Sequence, residues 1–325
     1  LIAWKMLLAS STRLLNHIIN RNINISTQWS RRFSTVSDEV KPAYGYCAHL
    51  VKQSDYESYL WISQLPKEIR PPLLAIRAFN VETANIASQI KSKDAGVASV
   101  RFEWWRTCIS SVFRQNPPKH PVAIALAHSL LDHGLQRYPF KRIIDARERD
   151  ALDTQPPLTI DDLEKYAEDT ATQTIYLQLS AAGVKNRDAD HAASHLGRAC
   201  GLVSLLRGSS HHSASRRCYI PVELLAENGV SQDEVYTGVS TEGIKNAALK
   251  VASRALGHLD ECRRVHDKVP KEATPMLLHA VFCEHYLEAL EKADFDIFDP
   301  KVASNPVHPI KRTLALKYHL LKGTY

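Results

Sequence analysis

The chain has 325 residues, 44% of them apolar and 23% charged, with 12 glycines against 16 prolines. These proportions exclude wholesale disorder, collagen-like repeats and a disulfide-dense miniprotein, and the length suffices for a large core. The net charge of +6 belongs to the start: residues 1–37 hold five basic and no acidic side chains, whereas the remainder balances 36 basic against 35 acidic. The body therefore carries no electrostatic footprint for nucleic acid.

Residues 1–37 also contain nine Ser and Thr, with apolar clusters at Met6-Leu7-Leu8, Leu14-Leu15 and Ile18-Ile19. Arg-rich, Ser-rich, acid-free and amphipathic describes a mitochondrial transit peptide. Arg31-Arg32-Phe33-Ser34 reads as a matrix-protease cleavage signal, and Met6 stands as a candidate start. No apolar core of the kind a secretory signal needs is present, and no run approaches the roughly 20 apolar residues of a membrane span.

Beyond Pro42 apolar spacing predicts helix after helix. The expected elements are 55–61, 73–91 opened by Pro71-Pro72, 98–114 with Phe102, Trp104, Trp105, Ile109, Val112 and Phe113 in the core, 121–135 with Ile124, Leu126, Leu130 and Leu131, and 140–152. Thr159, with Asp162 three residues on, is the expected cap of a helix reaching Gly183. Helix 188–206 leads into an expected polar loop up to Arg217, followed by short helices at 221–226 and after Ser231. Long helices at 241–269, 274–293 and 308–322 complete an all-α domain placed at 38–325, with its core at about 43–321.

Several of these segments, in this order, resemble the squalene and phytoene synthases. They are Leu74-Ala75-Ile76-Arg77-Ala78-Phe79-Asn80, Trp104-Trp105-Arg106, Ile144-Asp145-Ala146-Arg147-Glu148, Tyr166-Ala167-Glu168-Asp169-Thr170-Ala171, Gly201-Leu202 through Leu206-Arg207, and Arg217-Cys218-Tyr219-Ile220-Pro221. The resemblance implies an isoprenoid-synthase fold around a central cavity. It also implies two facing Asp-x-x-x-Asp motifs holding Mg²⁺ against a diphosphate. The i,i+4 spacing stacks two carboxylates on one helix face, and Mg²⁺ requires such hard oxygens. Here those positions are Asn80 and Ala84, then Gly208 and His212. Arg77, Glu82, Tyr166, Glu168, Asp169 and Arg207 are the candidates for a remnant pocket.

Four further segments are similar to a degenerate mitochondrial branch of the family that serves the assembly of complex I, NADH:ubiquinone oxidoreductase. They are Arg77 to Glu82 with Asn in place of Asp, Asp190 to Gly197, Gly229-Val230-Ser231-Gln232, and Asp294-Phe295-Asp296-Ile297-Phe298. This resemblance implies a pseudoenzyme with no catalytic residue, metal or cofactor, acting early on the matrix side and supporting a mitochondrially encoded membrane-arm subunit. Complex I subunits and other assembly factors are the implied partners, with contact to the inner-membrane surface. The competing reading keeps a prenyl-diphosphate transferase or a prenyl-lipid-binding protein.

The remaining chemistry-bearing residues read as structural. His191 and His195, at i,i+4, are expected to help pack a neighbouring helix. His211 and His212 are expected in the solvated loop. Cys283 and His285, at i,i+2, point apart. Asp145, Arg147, Glu148, Arg149 and Asp150 read as a solvated charged face. The six cysteines show no Cys-x-x-Cys, and four lie in helical patterns among apolar neighbours, where reduced thiols read as small hydrophobes. The basic helix at 308–322 fits either an anionic membrane surface or a last core helix whose lysines snorkel.

Overall fold

The computed structural model of the chain describes residues 40–89, 95–303 and 308–325. The transit-peptide reading of 1–37, with Met6 and the Arg31-Arg32-Phe33-Ser34 signal, lies outside the described residues, as does the expected helix end at Lys91. Among the described residues there is helix and no strand. In chain order the helices are α1 (Lys41–Ser54), α2 (Tyr56–Gln64), α3 (Arg70–Ala84), α4 (Ile86–Gln89), α5 (Ala95–Phe113), α6 (Pro121–His133), α7 (Arg137–Leu152) and α8 (Ile160–Ala167). A π turn (Glu168–Thr172) leads into α9 (Gln173–Ala181), followed by α10 (Arg187–Arg207), α11 (Ser209–Ala214), α12 (Val222–Glu227), α13 (Gln232–Tyr236) and α14 (Glu242–Arg264). After 3₁₀ turns at His266–Lys268 and Thr274–Leu277 come α15 (His279–Lys292), α16 (Pro300–Ala303) and α17 (Pro309–Lys322).

The helix starts follow from capping chemistry. Thr159 and Asp162 form the expected capping box, with Asp162 N donating to Thr159 Oγ1 at 3.2 Å and Thr159 N to Asp162 Oδ2 at 3.1 Å. Ser231 and Glu234 form a second capping box on α13, and the Asn186 side chain caps α10 by accepting from Asp188 N and Ala189 N. Pro71 and Pro72 occupy the first turn of α3, where no intrahelical N–H is needed. Four expectations are corrected. Helix α1 precedes the first element read from sequence. Helix 73–91 breaks at Asn85. The helix after Thr159 is not uniformly α but widens into the π turn. The expected loop after Arg207 contains α11, so His211 and His212 are helical.

Buried side chains form one continuous cluster running from Ala43 to Tyr325. Trp61, Phe79, Phe102 and Phe140 are the largest of its fully buried side chains, and Phe79 meets Trp105 and Phe140 edge-to-face at 5.2 and 5.0 Å. Trp104 and Leu131, read as core, are 42% and 69% exposed, because the apolar face of each helix is narrower than its apolar run.

Helix α10 is the axis of the domain, packing against α8, the π turn, α14 and α15. Its small residues make this possible. A Cβ on Gly197 would stand 2.3 Å from Thr172 Cα, and one on Gly201 would stand 2.3 Å from Ala167 Cβ. Gly257, on the exposed face of α14, has nothing within 4 Å of the same construction. Gly197→Ala should therefore lower stability by about 3 kcal/mol, the upper end of overpacking costs. Gly257→Ala should raise it by about 0.5–1 kcal/mol by removing unfolded-state freedom. Thermal melting of the two variants checks this, and a G197A variant as stable as G257A would refute the close-packed axis.

Candidate functional site

A cavity of about 570 Å³ opens between α2, α3, α7, the π turn, α10 and α15. Of the positions singled out in the sequence, Arg77, Asn80, Tyr166, Arg207, Gly208 and His212 line it. Four others do not. Ala84 is exposed at the end of α3. Glu82 turns to the opposite side, accepting from Tyr46 Oη at 3.0 Å and lying 3.5 Å from His120 Nε2. That follows from its position two residues, about 200°, from Asn80. Glu168 is held by Arg198 at 2.6 Å and Arg142 at 3.5 Å. Asp169 is buried between Arg142 and Arg149 and lines a separate cavity of about 470 Å³ beyond Tyr166.

Asn80 is fixed by an arginine. Arg147, on α7, donates from Nη1 to the Asn80 carbonyl at 2.7 Å and to Thr83 Oγ1, and from Nη2 to Asn80 Oδ1 at 2.8 Å. Thr174 Oγ1 donates to the same Oδ1 at 3.3 Å. Arg147 Nε is shielded from solvent and finds no acceptor, and burial pulls the guanidinium below its usual pKa. The reading of this stretch as a solvated face is thus corrected at Arg147. Asp150, on the same helix, is also sequestered, bonded by Arg217 at 2.7 Å and by Tyr219 Oη at 2.9 Å, with burial raising its pKa. The signal was present: Arg147 stands three and four residues after Ile144 and Ile143, on the buried face of α7.

The second motif position is filled in another way. A Cβ on Gly208 would meet His212 Nε2 at 2.5 Å, so the imidazole occupies the room a side chain at 208 would use. His212 packs against Tyr219 with ring centroids 4.6 Å apart. It is half-buried, and burial, then His211 and Arg217, lower its pKa to about 4, so it is neutral at pH 7.

The rest of the wall was not singled out by sequence reasoning. Asp55 caps α2 and pairs with Arg77 at 3.5 Å. Glu57 is shared between Arg207 at 2.7 Å and Arg312 of α17 at 3.2 Å. Arg77 also donates to His279 Nε2 at 2.5 Å, and the Gln178 amide, oriented by its hydrogen bonds, accepts from Arg77 Nε at 2.7 Å. Burial and the adjacent Arg77 cation hold His279 well below the usual histidine range. The wall therefore sets two carboxylates, each already paired, against Arg77, Arg147 and Arg207.

The histidine and cysteine motifs resolve as follows. His191 and His195 lie with rings 4.8 Å apart, and His195 Nδ1 is 2.9 Å from His258 Nδ1 on α14, so the pair packs that helix. Among the described residues no group of three or more His, Cys, Asp or Glu is placed to hold a metal ion.

A helical shell with its helix-lined cavity at this place is the architecture of an isoprenoid synthase, and the comparisons agree. The squalene/phytoene synthase family model matches residues 51–308, and the chain belongs to that family. It is 38% identical over 279 residues to the rat (Rattus norvegicus) protein named NADH dehydrogenase (ubiquinone) complex I, assembly factor 6, covering 83% of each chain. The Drosophila melanogaster homolog of that factor is 36% identical over 278 residues, covering 81% of this chain and 80% of its own. Among solved structures, a dehydrosqualene synthase in complex with ligand superposes with a TM-score of 0.75 at 20% identity, covering 87% of this chain and 98% of its own.

The family implies Mg²⁺ at the cavity mouth. The residues present do not fit it. Asn80 offers an amide oxygen already taken by a guanidinium, Gly208 offers no donor, and Asp55 and Glu57 are committed to arginines.

Two substitutions test this wiring. Arg147→Met removes three charge-assisted hydrogen bonds and should cost on the order of 3 kcal/mol. Asn80→Asp sets a carboxylate against Arg147, so its melting temperature should equal or exceed that of the wild type and be the same in EDTA as in millimolar Mg²⁺. A destabilised N80D that Mg²⁺ restores would contradict the assignment.

Proposed function

We propose that this chain is a non-catalytic assembly factor for mitochondrial complex I, acting early and supporting a mitochondrially encoded membrane-arm subunit from the matrix side of the inner membrane. Residues 1–37 serve as its transit peptide and 38–325 as its helical domain. Complex I subunits and other assembly factors are its partners. The observation that carries the non-catalytic part is the bonding of Asn80 to Arg147: ionising an allylic diphosphate needs the leaving charge neutralised by metal, and this donor set recruits none. The names of the relatives, matched along most of both chains, give the direction of the rest.

Membrane contact is supported by α17. No helix among the described residues is long and apolar enough to cross a membrane. Only Arg312 and Leu316 of α17 are buried, while Ile310, Leu314, Tyr318 and Leu321 are 64%, 62%, 57% and 37% exposed along one stripe. Residues 301–325 include Lys301, Lys311, Arg312, Lys317 and Lys322 and no acid. A groove of about 540 Å³ beside the stripe adds Lys67, Arg70 and Lys271. Helix α17 thus serves the fold through its buried face and meets anionic lipid through the other, each nearby cation contributing roughly 1 kcal/mol.

Loss of this protein from its source cells should reduce assembled complex I several-fold and leave complex II unchanged, with the imported form beginning at Ser34. Ile310→Glu combined with Leu314→Glu should retain the wild-type melting temperature, lose most binding to phosphatidylcholine vesicles containing cardiolipin, and rescue complex I poorly. Normal complex I without the protein would overturn the assembly role, and full vesicle binding by the double variant would remove α17 from the membrane contact.

A further inference from the structure

Two cysteines far apart in sequence meet on the cavity wall. Cys200, in the middle of α10, and Cys283, in the first turns of α15, place their Sγ atoms 3.1 Å apart. Both line the cavity, and both are free thiols. Their exposure is unequal: Cys200 is half-buried against the cavity, and Cys283 is 3% exposed. A disulfide bond is about 2.05 Å long, so the sulfurs need to close by about 1 Å, which side-chain rotation on two packed helices supplies. The other four cysteines, Cys47, Cys108, Cys218 and Cys262, are all buried, and none lies in hydrogen-bond contact with another sulfur among the described residues.

We propose that Cys200 and Cys283 are a redox-modification site, a dithiol that a small peroxide entering the cavity converts to a disulfide joining α10 to α15. Cys200 reacts first because it is the sulfur open to the cavity. Its thiolate attacks one peroxide oxygen, the O–O bond breaks, and the departing hydroxide takes up the thiol proton as water, leaving Cys200 as a sulfenic acid. The Cys283 sulfur then attacks the Cys200 sulfur. The S–O bond breaks and the hydroxide leaves with the Cys283 proton as a second water. Two thiols are oxidised by two electrons, and one peroxide is reduced to two waters. Cys283 is placed for the resolving role by its Sγ, 3.1 Å from that of Cys200. Its hydrogen bond to Cys200 and its burial raise its pKa, with Arg207 opposing, so it is not the thiol that meets peroxide first. The closed disulfide ties the helix ending at Arg207 to the helix beginning at His279, and so fixes one wall of the cavity.

The test uses the full folded chain exposed to hydrogen peroxide, followed by alkylation of remaining thiols and peptide mass spectrometry. The expected product is a cross-linked pair of peptides containing Cys200 and Cys283, 2 Da lighter than their sum, returned to two alkylatable thiols by dithiothreitol. The cross-link should persist in Cys262→Ser and vanish in Cys283→Ser, where Cys200 should instead be trapped by a sulfenic-acid reagent such as dimedone. The wild-type map alone is decisive if a variant fails to fold. Full alkylation of both residues after peroxide, or a cross-link from Cys200 to any other cysteine, would overturn the proposal.

Discussion

Arg147 enters the domain interior from α7 and finds its acceptors on a single residue and its neighbour: the carbonyl and amide oxygens of Asn80 and the hydroxyl of Thr83. A cation removed from water needs such acceptors, and neutral ones stabilise it less than a carboxylate would. Burial pulls the Arg147 pKa down, outweighing Tyr166 and Asp150, which favour the charged form. Where the family resemblance implies a carboxylate and a metal, the structure has a guanidinium bonded to an amide. Across the cavity, Gly208 and His212 complete the same change, the ring filling space where a side chain at 208 would otherwise project.

The packing of the shell rests on residues other than the four motif positions. Gly197 and Gly201 bring α10 against the π turn and α8, and the cluster around Phe79, Trp105 and Phe140 holds α3, α5 and α7 together. Even the ion pairs of the cavity wall have a structural reading. Glu57 joins Arg207 at the end of α10 to the buried Arg312 of α17, so the cavity mouth and the last helix are tied through one carboxylate. Breaking such a partly buried network costs more than its net contribution, because the remaining charges are left without partners.

Much of the fold was legible in the sequence. Helical spacing placed most elements, and Thr159-x-x-Asp162, Pro71-Pro72 and Ser231 marked starts that the structure keeps. The misreadings have local causes. The π turn needs one extra residue in a helix whose pattern otherwise continues, and its apolar positions give no sign of it. Residues Ser209 to Ala214 are polar and short, so no apolar spacing marks α11. At the site, the collinear motifs singled out Arg77, Asn80, Tyr166, Arg207, Gly208 and His212, which line one cavity. Charge type alone could not tell Glu82, Glu168 and Asp169, committed to other partners, from Asp55 and Glu57, which face the cavity. The nearness of Cys200 to Cys283 depends on tertiary packing across 83 positions and leaves no local trace.

The central claim is that the cavity has kept its walls and lost its chemistry. Its most direct measurement is pyrophosphate release from farnesyl diphosphate by the purified chain across a Mg²⁺ titration. The account predicts release indistinguishable from the protein-free background at every Mg²⁺ concentration, in the wild type and in N80D alike. Saturable, Mg²⁺-dependent release by the wild type, abolished by substitution of Arg147 or Arg207, would contradict it.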